Sequence, residues 1–238
     1  MNPVYSERQT IMKKCIVLTG AGISADSGLK TFRDAGGLWE GYRVEEVCTP
    51  EAFARNPQLV LDFYNQRRKQ AEQASPNAAH LALAKLEQHY QMQIITQNVD
   101  NLHERAGSSH VLHLHGELSK LRSTLDETDI IEWTGDQALS DTNSKGHPLR
   151  PHIVWFGEDV PLFPKAVAMM HEADVVLIIG TSLQVYPAAS LLHYAPPHAD
   201  VYLVDPNPQA SGAHIEIVPK KAAEGVPPLV DYLIGKAK

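Results

Sequence analysis

The chain has 238 residues, 43% of them hydrophobic, with a formal net charge of −7 and two cysteines, Cys15 and Cys48. This is enough apolar material for one large domain with a smaller insertion. The negative charge argues against non-specific nucleic-acid binding, which depends on neutralising phosphates, but it suits basic peptide partners. So few cysteines, one of them inside an apolar run, exclude a disulfide framework and fit a reducing, cytoplasmic setting. No run reaches the length of a membrane span, and the first residues lack the apolar core of a signal peptide. Residues 1–11 read as a polar, frayed extension, and Met12 is an alternative start.

The first strand is Cys15-Ile16-Val17-Leu18-Thr19, followed by Gly20-Ala21-Gly22-Ile23 and a helix expected to begin at Ser24 or soon after. Strand, glycine turn and helix start make a phosphate cradle, and Gly20, Gly22 and Ala25 fit the G-x-G-x-x-G/A dinucleotide fingerprint. Alone the pattern is weak, and a plain glycine turn competes with it. The continuation Thr31 to Trp39 lacks the second strand ending in an acidic residue that a dehydrogenase wants. It reads as a flap over a nucleotide, with Arg33 near its phosphates and Phe32 near the reacting end.

Glu40 to Ser75 reads as helical and polar. Thr49-Pro50-Glu51 has the form of a capped start, and Asn56-Pro57 opens a second helix, Gln58 to about Ala74. Tyr64 and Arg67 share a face of it, and spacing alone favours an exposed pair. A further helix runs from Ser75-Pro76-Asn77 to about Tyr90, with Ala79, Leu83 and Leu86 on its apolar stripe. The next strand, Gln93 to Thr96, ends in Gln97-Asn98-Val99-Asp100-Asn101. Polar groups past the C-terminal end of a strand are where open α/β sheets bind ligands, although Asn and Asp are also ordinary turn residues. A third strand, Val111 to Leu114, puts His113 and His115 on one face. His115 is a candidate general base, because imidazole titrates near working pH.

Ser119 to Arg150 is turn-rich and reads as an insertion, with Leu121, Leu125, Ile130, Ile131, Trp133, Leu139 and Leu149 as its apolar set. Pro151 to Gly157 is the next strand and Leu162 to Glu172 a helix. Asp174 to Ile179 reads as a central parallel strand and leads into Gly180-Thr181-Ser182-Leu183, a second glycine–hydroxyl turn. Ala188 to His193 is helical, Val201 to Val204 a strand ending in Asp205-Pro206-Asn207, and Pro228 to Ile234 the last helix.

Six stretches together resemble the sirtuin family of NAD-dependent protein deacylases. They are GAGISADSGLKTFR (Gly20 to Arg33), TQNVDNLHERAG (Thr96 to Gly107), LHGEL (Leu114 to Leu118), RPHIVWFGE (Arg150 to Glu158), GTSL (Gly180 to Leu183) and VDPNP (Val204 to Pro208). The resemblance implies an α/β fold, a Rossmann-like parallel sheet with a smaller domain made from two insertions, one helical and one at the family's zinc module. The NAD-binding domain would be 12–39, 75–118 and 150–238, and the small domain 40–74 and 119–149. It implies attack of an acyl-lysine oxygen on the nicotinamide ribose, giving nicotinamide, O-acyl-ADP-ribose and free lysine. His115, Asn98 and Asp100 would be catalytic. The cofactor set would be Gly20, Ala21, Gly22, Ile23, Ala25, Phe32, Arg33, Gln97, Asn98, Asp100, Gly180, Thr181, Ser182, Asn207 and Ala222.

On the substrate side the resemblance implies Val154 and Phe156 beside the lysine tunnel. Gly157, Glu158 and Leu183 would lie along an extended acyl-lysine peptide added as a strand. It is nearest to the bacterial and mitochondrial branch that removes succinyl and malonyl groups, with Tyr64 and Arg67 gripping the acyl carboxylate. Deacetylation is expected as well. Protein ADP-ribosyl transfer and a catalytically weak NAD-binding module are the alternatives, and a monomer without membrane or nucleic-acid partners is favoured. The family's zinc sits on four cysteines in two pairs, whereas 119–150 contains none. A metal-free module held by its apolar residues is therefore expected.

Overall fold

The computed structural model describes residues 12–30, 38–39, 41–209 and 214–237. In chain order the elements are β1 (Lys14–Thr19), two 3-10 turns (Ala21–Ile23 and Ala25–Ser27), β2 (Leu38–Trp39), β3 (Tyr42–Arg43), α1 (Val44–Val47), α2 (Pro50–Arg55), α3 (Pro57–Gln73), α4 (Ala78–Leu86), β4 (Gln91–Thr96), α5 (Leu102–Arg105) and β5 (Val111–His113). Then follow β6 (Gly116–Ser123), β7 (Ile130–Glu132), β8 (Leu149–Ile153), α6 (Phe163–His171), β9 (Val175–Ile179), a 3-10 helix (Ala188–Tyr194), β10 (Asp200–Val204), β11 (Ile215–Val218) and α7 (Ala222–Lys236).

Six strands form one parallel sheet in the order β11-β10-β9-β1-β4-β5. Ranked by chain order this is 6-5-4-1-2-3, the doubly wound arrangement, and the winding reverses between β1 and β9. Val175 to Ile179 are buried throughout, as are Cys15 to Thr19, because helices cover both faces. On one face Val17, Ile94 and Leu177 pack against Leu83 and Leu86 of α4 and Val226, Val230 and Leu233 of α7. On the other, Ile16, Leu18 and Ile178 pack against Ala166 and Met170 of α6 and Leu191.

The helix starts are chemical ones. Thr49 Oγ1 accepts from Ala52 N–H with Pro50 next in line, and Asn56 Oδ1 does the same for Leu59 with Pro57. The helix expected from Ser24 is replaced by the two 3-10 turns. The polar stretch expected to be helical from Glu40 instead contributes β3 of the β2–β3 hairpin before α1. α4 stops at Leu86 rather than near Tyr90. β11 was not anticipated; it is a four-residue edge strand of mixed exposure. α7 is longer than expected and carries Pro227 and Pro228 inside. Burial of its apolar stripe outweighs the backbone bonds that the two prolines cannot make.

The strand expected at 151–157 is β8, and it pairs antiparallel with β6 in a separate three-stranded sheet, β7-β6-β8. This sheet and α1–α3 share one apolar cluster that includes Val47, Phe63, Tyr64, Leu118, Ile153 and Trp155. Of the insertion's apolar set Leu121 and Leu149 are buried, as expected, whereas Leu125, Ile130 and Leu139 are 70%, 42% and 52% exposed. Polar bonds add to the hold. Arg68 Nε donates to Leu118 O over 2.8 Å, and Asn65 and Gln137 exchange two bonds of 2.9 and 2.8 Å.

At the tip of the insertion Ser123 Oγ accepts from Leu125 and Asp126 N–H, and Asn143 Oδ1 from Lys145 and His147 N–H. Among the described residues no group of three or more His, Cys, Asp or Glu side chains could hold a metal ion. These donors, all hard and already committed to backbone, do not fit a zinc tetrathiolate site. No helix among the described residues is long and apolar enough to cross a membrane.

Candidate active site

The site forms where the winding reverses. The turn after β1 and the turn after β9 touch backbone to backbone: Gly20 N–H donates to Ile179 O over 3.1 Å, and Gly22 N–H to Gly180 O over 2.8 Å. A Cβ on Gly22 would stand 2.7 Å from Gly180 Cα, and one on Gly20 2.8 Å from Gly180 O. The glycines are thus needed for contact between two turns. Ile23 is fully buried, and its carbonyl accepts from Asn77 Nδ2 over 2.7 Å.

β4 feeds its polar end into the same place. Gln97 Nε2 donates to Thr181 Oγ1 over 3.1 Å, joining the β4 and β9 turns. Asn98 Nδ2 donates to Ser24 Oγ over 3.1 Å, and Ser24 Oγ donates to Asp100 Oδ2 over 3.2 Å. Asp100 Oδ1 accepts Leu102 N–H. Burial raises the Asp100 carboxyl above its usual range, opposed by the bonds from Leu102 and Ser24. Beneath lies a polar ladder: Thr19 Oγ1 donates to Thr96 Oγ1 over 2.9 Å, and Thr96 Oγ1 accepts Asn98 N–H over 3.0 Å. The Thr19 proton being used, Thr19 accepts from His103 Nε2 at 3.1 Å.

Just past β5, His115 Nδ1 lies 3.2 Å from Gln97 O. A carbonyl only accepts, so Nδ1 carries the proton and Nε2 keeps its lone pair. Burial lowers the His115 pKa below the ordinary imidazole value, partly offset by that bond, so the ring is neutral at neutral pH. His113, two residues earlier, follows the same pattern with the next carbonyl, bonding Asn98 O at 3.2 Å and Glu104 Oε1 at 2.7 Å. Burial pushes its pKa down, but the Glu104 carboxylate outweighs that and raises it. Gly116, at φ +86°, lets β8 pass; a Cβ there would overlap His152 O. Val154 N–H then donates to His115 O over 2.9 Å.

Gly20, Gly22, Ile23, Gln97, Asn98, Asp100, His115, Gly180 and Thr181 are therefore joined in one bonded cluster, with Ala21 and Ser182 next to them in chain. Ala25 is exposed. Asn207 follows β10 and is exposed, and Ala222 opens α7 and is buried; among the described residues no hydrogen bond links either side chain to the cluster. Phe32 and Arg33 lie outside the described residues. Tyr64 and Arg67 are 1% and 7% exposed, not the solvated pair that spacing favoured. Trp155 Nε1 donates to Tyr64 Oη over 3.0 Å. The Arg67 charge favours the ionised forms of Asp100 and Cys48. Phe156 is 47% exposed and Gly157 holds φ +91° in open space. The Glu158 carboxylate is committed to Arg150 at 2.6 Å, Arg122 at 3.2 Å and Trp155 N–H at 2.8 Å. Leu183 has φ +53°, a conformation imposed on an L-residue by its surroundings.

Ser24 was missed as a site residue, although it lies inside the first motif. Thr19, Thr96 and His103 were missed too, because their bonds join residues 77 and 84 apart in sequence.

A family model described as the Sir2 family matches residues 20–187. An NAD-dependent protein deacylase of Aggregatibacter actinomycetemcomitans is 58% identical over 194 residues, 82% of this chain and 93% of that protein. One from Bacteroides thetaiotaomicron is 53% identical, covering 94% and 99%. Among solved structures, a Sir2 homologue in complex with NAD superposes with a TM-score of 0.86 at 38% identity, covering 95% of this chain and 91% of that one. A Sir2 enzyme bound to a propionylated peptide gives 0.77 at 27% identity, covering 95% of both. The doubly wound sheet, the two touching turns at its reversal and a match across more than half its length agree: the chain belongs to the Sir2 family.

Proposed function

We propose that this chain is an NAD-dependent protein lysine deacylase whose acyl pocket takes succinyl and malonyl groups as well as acetyl. The observation that carries the acyl assignment is Arg67, a guanidinium buried beside Tyr64 on α3 with its charge acting on Asp100 of the cluster. A cation kept in so dry a place favours an anionic guest, and a guanidinium matches a carboxylate with two parallel bonds.

The chain fits NAD on two counts. The contact between the Gly20–Gly22 and Gly180 turns leaves backbone, not side chains, along the edge of the sheet. Beside it lie buried amide and carboxylate groups suited to a carboxamide. When bound, NAD supplies an activated glycosidic bond to nicotinamide. Asn98, Asp100 and Ile23 would hold the carboxamide, and Gln97 the reactive ribose. Gly20, Ala21, Gly22, Ala25, Arg33, Gly180, Thr181 and Ser182 would line the phosphate and ribose path, with Phe32 at the reacting end. Asn207 and Ala222 would serve the adenosine end. His115 Nε2 takes the proton from a ribose hydroxyl, its ring held by the Nδ1–H bond to Gln97 O. Val154 and Phe156 flank the lysine, and the backbones of Gly157, Glu158 and Leu183 pair with the peptide.

On this reading the chain divides into an NAD-binding part, 12–39, 75–118 and 150–238, and a small domain, 40–74 and 119–149. Two buried free thiols suit a reducing cytoplasm. The test is an NAD-dependent assay on matched acetyl-, succinyl- and malonyl-lysine peptides. Arg67→Met should cut kcat/KM on the succinyl peptide by about 10- to 100-fold, as loss of a charged bidentate pair implies, and the acetyl peptide far less. Unchanged succinyl turnover would remove the pocket assignment.

A further inference from the structure

Tyr64 and Arg67 share a helix face, but the groups that orient them come from elsewhere in the chain. Trp155 is 2% exposed and stands between Val154 and Phe156. Its backbone N–H is fixed by Glu158 Oε2 at 2.8 Å, and its ring lies 3.4 Å beneath the Arg150 guanidinium carbon. Arg150 and Arg122 in turn hold the same Glu158 carboxylate. The indole is therefore pinned at both ends, and it spends its one polar atom on Tyr64: Nε1 to Oη, 3.0 Å, inside the apolar cluster. Cys48 Sγ lies 3.1 Å from the same oxygen, brought there by the bond from Phe156 N–H to Cys48 O.

An indole N–H only donates. It occupies a lone pair of the Tyr64 oxygen and forces the phenolic proton to point elsewhere. Its neighbour in this structure is the Cys48 thiol, a weak donor and a weak acceptor that a stronger acceptor displaces. Burial pushes the Cys48 thiol up to about 12, so it stays neutral and offers no competing anion. A hydroxyl locked as a donor recognises an acceptor-only group such as a carboxylate, and gives nothing to an acetyl methyl.

We propose that Trp155 is a specificity-determining positioning residue, whose indole N–H locks the Tyr64 hydroxyl as a donor to acidic acyl groups. The inference rests on the acyl-pocket reading above. Trp155 touches neither the reacting atoms nor the acyl group; it acts through Tyr64.

The test is Trp155→Phe, which keeps a ring under Arg150 and deletes the donor together with part of the indole; the Tyr64→Phe background separates the two. Loss of one buried hydrogen bond should raise KM for a succinyl-lysine peptide by about three- to tenfold with kcat unchanged, and leave KM for the acetyl peptide unchanged. In a Tyr64→Phe background the same change should not alter the succinyl-to-acetyl ratio further. An equal loss on both peptides, or an undiminished effect without the Tyr64 hydroxyl, overturns the proposal. If Trp155→Phe does not fold, the wild-type chain decides by its nitrogen-15 indole resonances. One of them should shift in Tyr64→Phe, and shift again on adding succinyl but not acetyl peptide; no such resonance overturns the proposal. Arg67→Met, run in parallel, separates the two failures. If it spares succinyl turnover, the pocket reading is wrong; if it abolishes that turnover while Trp155→Phe affects both peptides alike, only the positioning role is wrong.

Discussion

The hydroxyl of Ser24 joins Asn98 to the turn after β1, accepting from Nδ2 over 3.1 Å. It also gives its own proton to Asp100 Oδ2 at 3.2 Å. One small side chain thereby sets which end of the Asn98 amide faces the site and opposes the upward push that burial gives the Asp100 carboxyl. Ser24→Ala removes both bonds without leaving a large void. Two lost hydrogen bonds, one to a charged group, imply a fall in kcat/KM for NAD of about 10- to 100-fold. Thermal melting should fall by about 4–16 °C, as about 2–4 kcal/mol of lost bonding implies. Kinetics unaffected by the change would show that Asn98 and Asp100 are held by other means.

His115 carries the proton chemistry in the proposed mechanism, and its environment sets the sign of the pH dependence. Burial lowers its pKa, so the neutral, proton-accepting ring persists below the ordinary imidazole value. Activity should be level through neutral pH and fall only in acid, with the inflection below 6.5, the unperturbed imidazole value. Replacing the ring, as in His115→Tyr, should lower kcat by roughly 100- to 10,000-fold, the range for a general base. An inflection above neutrality would contradict the neutral ring that burial imposes on His115.

How much of this was legible beforehand follows from where each signal lies. The strands of the parallel sheet are short apolar runs, because both faces are covered, and β1, β4, β9 and β10 could be read directly. The polar residues at their ends could be read too, since they follow the strands in sequence. Tyr64 and Arg67 were singled out by the resemblance but not by spacing: helical spacing shows a shared face but not that β8 and Trp155, 91 residues away, close over it. The insertion could be read as such, but not its strands, because β6 and β7 carry mixed residues and its tip is fixed by polar side chains bonding nearby backbone. In sequence such bonds look like ordinary turn composition, because their partners are set only by the folded chain.

That tip yields a prediction about metal. Asn143 is 8% exposed and bonds three ways, to Lys145 N–H, His147 N–H and Asp129 Oδ2. Ser123 Oγ, which gathers Leu125 and Asp126, also meets His147 Nδ1 at 3.2 Å. Side-chain oxygens here gather backbone N–H groups, so the module should need no ion. Prolonged chelation should leave the melting temperature and activity unchanged, and elemental analysis should find no stoichiometric zinc. Asn143→Ala should cost about 2–3 kcal/mol for three bonds, lowering the melting temperature by about 4–12 °C. One zinc per chain would refute a metal-free tip.

Two histidines behind the site should make the fold sensitive to acid. His80 and His103 are fully buried, with ring centroids 5.0 Å apart. His80 Nδ1 accepts from Asn77 N–H, so Nε2 carries its proton; His103 donates through Nε2 to Thr19. Neither His80 Nε2 nor His103 Nδ1 has a hydrogen-bond partner among the described residues. Burial lowers the His80 pKa from 6.5 to about 4, and burial together with the His80 and His113 charges lowers that of His103. A histidine whose folded pKa is depressed binds its proton more readily in the unfolded chain. Its stabilising effect is complete above 6.5, falls as pH drops through that value, and is gone below about 4. For His80 alone this amounts to about 3 kcal/mol across the window. Urea unfolding at stepped pH should show the loss between 6.5 and 4, and His80→Gln should flatten the slope by about one proton. A wild-type stability that is level from neutrality to pH 4 would mean that the His80–His103 pair already takes up protons in the folded protein.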